Sequence, residues 1–251
     1  MLVSELSSPA DDREPYITNH GLDAYVSNLT TDTWRSYHTS RAASDASWQP
    51  LADAWADALF SSVTRVTITA DGLEAFVSAL SSPTDAADLW VASRATPESA
   101  FGAFARLDTA STPDSDVDVY PTDDALRLYF ATQPAGSDAS TLVVAERAAR
   151  DAPFGAAVPV PGISDDHADN PAVTPDDRML IYSSHAGGGS GDLMYVVRSS
   201  PDEPFGPPQL LPVVNSPYDD TEADVWGCDL YFASNPAGNL DIYRSRFVLG
   251  E

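Results

Sequence analysis

Charged side chains recur in five short segments of this chain, and most of them are carboxylates, which can bind cations or transfer protons. Four of these segments are acidic, whereas the second carries an arginine. One residue in each segment is expected to contact a ligand: Glu14, Arg65, Asp116, Asp169 and Glu222. Carboxylates that meet raise one another's pKa unless a cation compensates them, so a weak cation site is expected where these side chains converge.

The third segment has the most regular spacing of carboxylates. Asp114, Asp116 and Asp118 are two residues apart, and such residues point to the same side of an extended chain. Their oxygens could therefore converge on a hard cation such as Ca2+. Alternatively, each short side chain accepts backbone N–H groups at a turn, as aspartates commonly do. Calcium is thus a possible cofactor.

Other types of catalytic site find little support in the sequence. No Gly-x-Ser-x-Gly motif is present, and we assign no catalytic residue. Trp34, Trp55 and Trp226 could stack on a sugar, although burial in the core is the simpler interpretation. The single cysteine, Cys228, is expected to be a small core residue.

The composition narrows the range of partners. The 251 residues carry a net charge of -25, and all 13 basic residues are arginine. Nucleic acid and anionic membranes are disfavoured because their phosphates need basic side chains. The first residues lack the basic and apolar regions of a signal peptide, and no apolar run is long enough for membrane insertion. A protein, a glycan or a cation remains a possible partner, and a monomer is expected.

The elements that would position these residues follow from a repeat. Four arginines lie 53, 53 and 51 residues apart, and an aromatic residue follows each after seven positions. The pairs are Arg41 with Trp48, Arg94 with Phe101, Arg147 with Phe154, and Arg198 with Phe205. Each unit contains short runs of β-branched and aromatic residues between turns, which predicts four strands. Units of about 50 residues with four strands are typical of β-propeller blades.

The arrangement predicted is an all-β, five-bladed β-propeller that forms a single domain over residues 1–251. The expected blades are approximately 11–60, 61–112, 113–164, 165–216, and 217–251 together with 1–10. The last unit ends after its third strand, and the segment from Leu2 to Asp12 parallels that from Leu210 to Asp220. We therefore expect an N-terminal strand, Leu2–Leu6, to close the last blade by pairing with Asp241–Arg246, which would protect a sheet edge.

The repeats resemble the WD-like propeller repeats of the TolB type. The fourth unit carries Asp169-Asn170-Pro171, then Ile181-Tyr182-Ser183, and then Asp192, Tyr195 and Phe205-Gly206. The resemblance implies a module that is secreted, periplasmic or part of a lipoprotein and that binds proteins or glycans.

A non-enzymatic binding or scaffold propeller, with its ligand at the channel mouth, is the function expected from the sequence. The alternative is a polysaccharide hydrolase similar to five-bladed arabinanase-like glycosidases, which have carboxylates at the entries of their first three blades. Asp12 or Glu14 would act with Asp116 or Asp118, but the second blade offers Arg65 in place of a carboxylate.

Overall fold

Five antiparallel sheets are arranged around one axis in the computed structural model, which describes residues 1–30, 33–54, 59–186 and 190–246. In each sheet the strands follow one another in chain order from the innermost to the outermost. The all-β, five-bladed β-propeller predicted from the repeat spacing is therefore confirmed.

Each of the first four sheets has four strands, and the fifth has three. The strands of the first two blades are β1 (Asp12–Thr18), β2 (Asp23–Thr30), β3 (Thr33–Ser40), β4 (Ala52–Asp53), β5 (Ser62–Ile68), β6 (Glu74–Leu80), β7 (Asp88–Ser93) and β8 (Ala105–Arg106). Those of the third and fourth are β9 (Ser115–Pro121), β10 (Arg127–Gln133), β11 (Thr141–Glu146), β12 (Val158–Pro159), β13 (Ala168–Val173), β14 (Met179–Ser184), β15 (Asp192–Val197) and β16 (Gln209–Leu210). The fifth blade has β17 (Asp220–Trp226), β18 (Asp229–Ser234) and β19 (Asp241–Arg246).

Burial falls from the axis to the rim of the propeller. The inner strands are buried along most of their length, whereas both residues of each outer strand are exposed. The second strands carry the aromatic residues predicted from the repeat, and Phe76, Tyr129 and Tyr182 are fully buried between neighbouring sheets. Apolar packing between the sheets thus holds the inner strands, and with them their polar side chains, in fixed positions.

The repeated arginines form the same contact in four blades. Each guanidinium lies over the ring of the aromatic residue seven positions later, 4.1 to 4.5 Å from its centroid. The Nε–H donates to a backbone carbonyl at the turn between the first two strands: Gly21, Gly72, Ala125 or Asp177. We call this contact the arginine clasp. It fixes the inner hairpin of a blade to the chain that follows the third strand.

The N-terminal residues close the fifth blade, but in a shorter form than expected. Leu2 pairs with Tyr243, and the Val3 N–H donates to the Ile242 carbonyl at 2.8 Å. Residues Ser4–Leu6 then form a 3-10 helix, so the predicted strand Leu2–Leu6 is wrong beyond Val3. The helix turns the fully buried Leu6 into the core beside Ile242, whereas Leu2 remains 44% exposed.

Deletion of residues 1–3 is expected to lower the free energy of unfolding by about 2–3 kcal/mol, because it removes backbone hydrogen bonds to β19 and the burial of Val3. Urea denaturation followed by circular dichroism would measure the change. Leu2→Ser is the matched control and should have little effect, since that side chain is largely exposed. An unchanged unfolding free energy in the deletion variant would show that closure does not depend on this pairing.

The single cysteine lies at the surface. Cys228 is exposed in the turn between β17 and β18, so the expectation of a core cysteine is wrong. The turn places it next to Gly227, at the end of the inner strand, where side chains leave the core.

Among the described residues, no helix is long and apolar enough to cross a membrane.

Candidate functional site

Backbone bulges in the inner strands decide which side chains reach the axis. Four bulge residues adopt a left-handed conformation with φ between 51° and 61°: Glu14, Asp118, Asn170 and Glu222. In the second blade the irregularity falls next to Arg65. Such bulges break the alternation of a strand and redirect one side chain. The five blades thereby bring these polar residues together.

We name the polar residues at the axis the axial cluster: Arg13, Glu14, Arg65, Asp118, Glu222 and Asp224. Arg65 is fully buried, and its Nη1 lies 2.7 Å from Glu14 Oε2. None of the three Arg65 guanidinium nitrogens has an aligned hydrogen-bond partner, so this contact is an ion pair without a directed hydrogen bond. The guanidinium also lies 5.3 Å from the centroid of the Tyr120 ring.

Carboxylates of one blade contact the backbone of the next. Glu222 accepts the Glu14 backbone N–H at 3.0 Å and pairs with Arg13 at 2.9 Å. Asp118 accepts the Asn170 N–H at 3.3 Å, and its carboxyl group lies beside that of Glu14. The cluster therefore ties adjacent inner strands together across the axis.

Asp224 connects the cluster to a pair of tyrosines. It accepts the Ile17 backbone N–H at 2.9 Å and the Tyr120 hydroxyl at 2.8 Å. The Tyr120 ring packs edge-on against Tyr16, with centroids 5.6 Å apart. The two rings thus lie between Asp224 and the ends of the inner strands.

Burial changes the protonation of the cluster. It raises the pKa of Asp118, with help from the charge of Asp169, to about 7, and it raises the pKa of Asp224 to about 6. Burial also raises the pKa of Glu14 well above its usual range and raises that of Glu222, although Arg65 and Arg13 oppose these shifts. The cluster therefore retains protons at a pH where exposed carboxyl groups are ionised.

The structure brings together three of the five residues predicted to contact a ligand, Glu14, Arg65 and Glu222. Asp116 lies elsewhere: its carboxylate accepts the Thr112 backbone N–H at 2.6 Å and the Thr112 hydroxyl at 2.8 Å. Asp12 and Asp220 make the equivalent contact in the first and last blades. Asp116 thus fixes a turn at the entry of its strand. This is the alternative to calcium binding, in which a short aspartate side chain accepts backbone N–H groups at a turn.

Asp169 lies beside the cluster. Its Oδ1 accepts from the Asn170 side-chain amide at 2.8 Å and is 3.7 Å from His185 Nε2. The neighbouring Asp169 carboxylate raises the pKa of His185, and burial opposes this shift.

The three carboxylates of the predicted calcium site take different positions. Asp118 faces the axis, Asp116 faces its turn, and the Asp114 N–H donates to Thr112 Oγ1. The bulge at Asp118 breaks the alternation on which the prediction rested. Within the described parts of the chain, no three His, Cys, Asp or Glu residues are grouped so as to hold a metal ion.

A depression opens at the end of the axis opposite to the acidic segments. It has a volume of about 410 Å³ and is lined by residues of all five blades. We name it the axial pocket; its lining includes Tyr16, Thr18, His20, Thr69, Tyr120, Thr122, Asp123, Val173, Val225 and Trp226. Its volume and its combination of aromatic, apolar and polar groups are typical of ligand sites. None of the residues predicted from the sequence to contact a ligand or a metal ion lines this pocket.

The three tryptophans considered as a sugar platform are separate. Trp226 lines the axial pocket, whereas Trp34 lies under Arg13, with 5.4 Å between the guanidinium carbon and the ring centroid. Trp55 lies outside the described residues. The weak signals that could have indicated the pocket are Tyr16, Tyr120 and Trp226, which stand near the ends of their inner strands.

Solved structures of known proteins share this fold. A thermostable family-43 glycoside hydrolase aligns with 100% of this chain and 94% of its own, with a TM-score of 0.68 and 13% identity. The endo-arabinase from Bacteroides thetaiotaomicron VPI-5482 aligns over 100% and 98%, with a TM-score of 0.65 and 14% identity. TolB from Acinetobacter baumannii has a TM-score of 0.55 and 12% identity. The alignment covers 98% of this chain but 57% of TolB.

No protein-family model and no curated protein sequence matches the chain. At these identities the structural similarities show the fold alone. The similarity to TolB therefore extends to the propeller architecture, and membership of a TolB-type repeat family is not shown by sequence.

Proposed function

We propose that this protein binds a saccharide in the axial pocket. The observation that carries the proposal is a pocket at the meeting point of all five blades, with Tyr16, Tyr120 and Trp226 in its lining. Aromatic rings with polar tips pack against the apolar faces of a ligand while polar groups select its orientation. His20 and Asp123 are the exposed polar groups in the lining. The family-43 hydrolase and the endo-arabinase that share the fold support saccharides as the ligand class.

Isothermal titration calorimetry with arabino- and cello-oligosaccharides would test the proposal. Asp123→Asn and His20→Ala are expected to weaken binding about tenfold, which corresponds to about 1.4 kcal/mol. Asp151→Asn, at an exposed position on a loop of the third blade, is the matched control and should bind like the unaltered protein. Absence of binding by every saccharide in the panel would overturn the proposal.

Glycoside hydrolysis is the second candidate, and the similarity to glycoside hydrolases favours it over a purely scaffolding role. The observation behind it is the carboxyl pair Glu14 and Asp118, since a pKa of about 7 leaves Asp118 able to donate a proton. The geometry counts against it. Hydrolysis needs two carboxyl groups on either side of a substrate in an open pocket, whereas Glu14 and Asp118 are each only 7% exposed and lie side by side in the axial cluster.

A reducing-sugar assay on arabinan separates the two candidates. Saccharide binding without hydrolysis predicts no release of sugar by the unaltered protein. Release that disappears in Asp118→Asn would instead establish hydrolysis and overturn the non-catalytic interpretation.

A further inference from the structure

The axial pocket continues into a groove of about 790 Å³ between the first and second blades. Thr18, His20 and Ala70 line both spaces, so the pocket and the groove form one cleft. We name this second part the radial groove. The groove between the third and fourth blades, of about 600 Å³, shares no lining residue with the axial pocket.

Ion pairs cross two of the other blade junctions at the same level. Arg147 of the third blade pairs with Glu74 of the second at 2.6 Å. Arg127 of the third blade pairs with Asp177 of the fourth at 2.7 Å, and Arg198 joins the same carboxylate. At these two junctions the ion pairs tie neighbouring blades together. At the first junction the radial groove occupies the corresponding place.

The first junction has a glycine at the position that Asp177 occupies in the fourth blade. Gly72 follows the inner strand of the second blade as Asp177 follows that of the fourth, and the clasp arginine donates to its carbonyl in both. On the facing blade, Asp23 corresponds to Arg127 but binds His38 of its own blade at 2.8 Å. Gly72 has no side chain that could pair across this junction, and the radial groove lies beside it.

We propose that the cleft binds a linear, uncharged oligosaccharide, with one end in the axial pocket and the following sugar units along the radial groove. This inference rests on the proposed function and specifies its ligand class. The combined volume exceeds that needed for one sugar, which would occupy the axial pocket alone. Tyr25 and Phe101 supply aromatic surface in the groove, and Tyr25 packs against His38 with centroids 4.9 Å apart.

The charges of the cleft favour an uncharged chain. Asp23, Asp71 and Glu98 line the groove with a single arginine, Arg94, and Asp123 lies in the pocket. An acidic polysaccharide would meet these carboxylates on a protein of net charge -25 and would be repelled. Neutral sugars avoid this repulsion and can still accept and donate hydrogen bonds at the same side chains.

Calorimetry with arabino-oligosaccharides from the disaccharide to the hexasaccharide would test the inference. Affinity is expected to rise at least about tenfold along the series and then to reach a plateau. The double variant Asp23→Arg/Gly72→Asp is designed to close the groove by copying the Arg127–Asp177 bridge. Position 72 can hold a side chain, because Ala125 and Asp177 have a similarly positive φ and an added Cβ approaches the flexible end of Arg94 at 3.2 Å.

In the closed variant the hexasaccharide should bind no more tightly than the disaccharide, whereas disaccharide binding should be unchanged. Ala100→Trp, at an exposed position in the groove, is a second variant that should give the same result by filling it. Val158→Trp fills the groove between the third and fourth blades and is the matched control. Binding that does not depend on length, or that survives both variants, overturns the inference and leaves the proposed function standing. Absence of binding at every length overturns both.

Discussion

Substitution of Arg65 by methionine is expected to lower the free energy of unfolding by about 3–5 kcal/mol near pH 8, because removal of one partner leaves a buried charge uncompensated. Arg65 is fully buried between Glu14 and the Tyr120 ring. Methionine keeps most of the side-chain volume, so the loss reports mainly on charge. Urea denaturation at about pH 8 and about pH 5 would measure it.

The loss should be smaller near pH 5, since Glu14 and Asp118 can then take up protons and no longer need a cation. Arg106→Met is the matched surface control. Arg106 pairs with Asp88 at 2.6 Å but is 39% exposed, and such pairs contribute at most about 1 kcal/mol. An Arg65→Met loss of equal size at both pH values would show that the arginine acts by packing rather than by charge.

Stability of the unaltered protein is expected to fall by several kcal/mol as the pH rises from about 4 to about 7. Burial holds the folded-state pKa of Asp118 at about 7 and those of Asp116 and Asp224 at about 6. Between the usual carboxyl pKa and these values, the folded state binds more protons than the unfolded state. Rising pH therefore favours unfolding, by about 1.4 kcal/mol for each unit of pKa shift.

Denaturation across this pH range at high, constant ionic strength would measure the slope, because salt screens the general repulsion of a chain with net charge -25. Asp118→Asn should flatten the slope, since its amide does not titrate. Asp202→Asn, whose native side chain is 93% exposed, should leave it unchanged. A stability that rises or stays constant over this range would contradict the assignment of protonated carboxyl groups to the axis.

The repeat of arginine and aromatic residues was sufficient to predict the length of a blade and four of the five blades. Each arginine clasp is made within one blade by residues at a fixed spacing, so the sequence spacing and the structural period coincide. Closure by the N-terminus was predicted for the same reason, from a matched Ser-Pro-x-Asp-Asp segment. The 3-10 helix after Val3 was missed because its cause is the tertiary burial of Leu6.

The site was predicted less well, because strand alternation fails at the bulges. Alternation places Asp114, Asp116 and Asp118 on one side, but Asp118 adopts φ 61° and its carboxyl group turns to the axis. Asp224 was also missed. It lies in the inner strand of the fifth blade, and its partner Tyr120 lies in the inner strand of the third. Its role depends on a contact between residues 104 positions apart, which local spacing does not indicate.

The contrast between uniform clasps and dissimilar junctions has a consequence for assembly. Similar units could dock in the wrong order while the chain folds, because four of the five blades make the same clasp to their own inner hairpin. The junctions distinguish them: a second blade packed before the fourth would set Glu74 beside Asp177, so that two carboxylates would share Arg198. In the native order Glu74 has Arg147, and Asp177 has both Arg127 and Arg198. Like charges at a misplaced junction raise the energy of the wrong arrangement. The ion pairs between blades thus favour the native circular order of the blades over other orders.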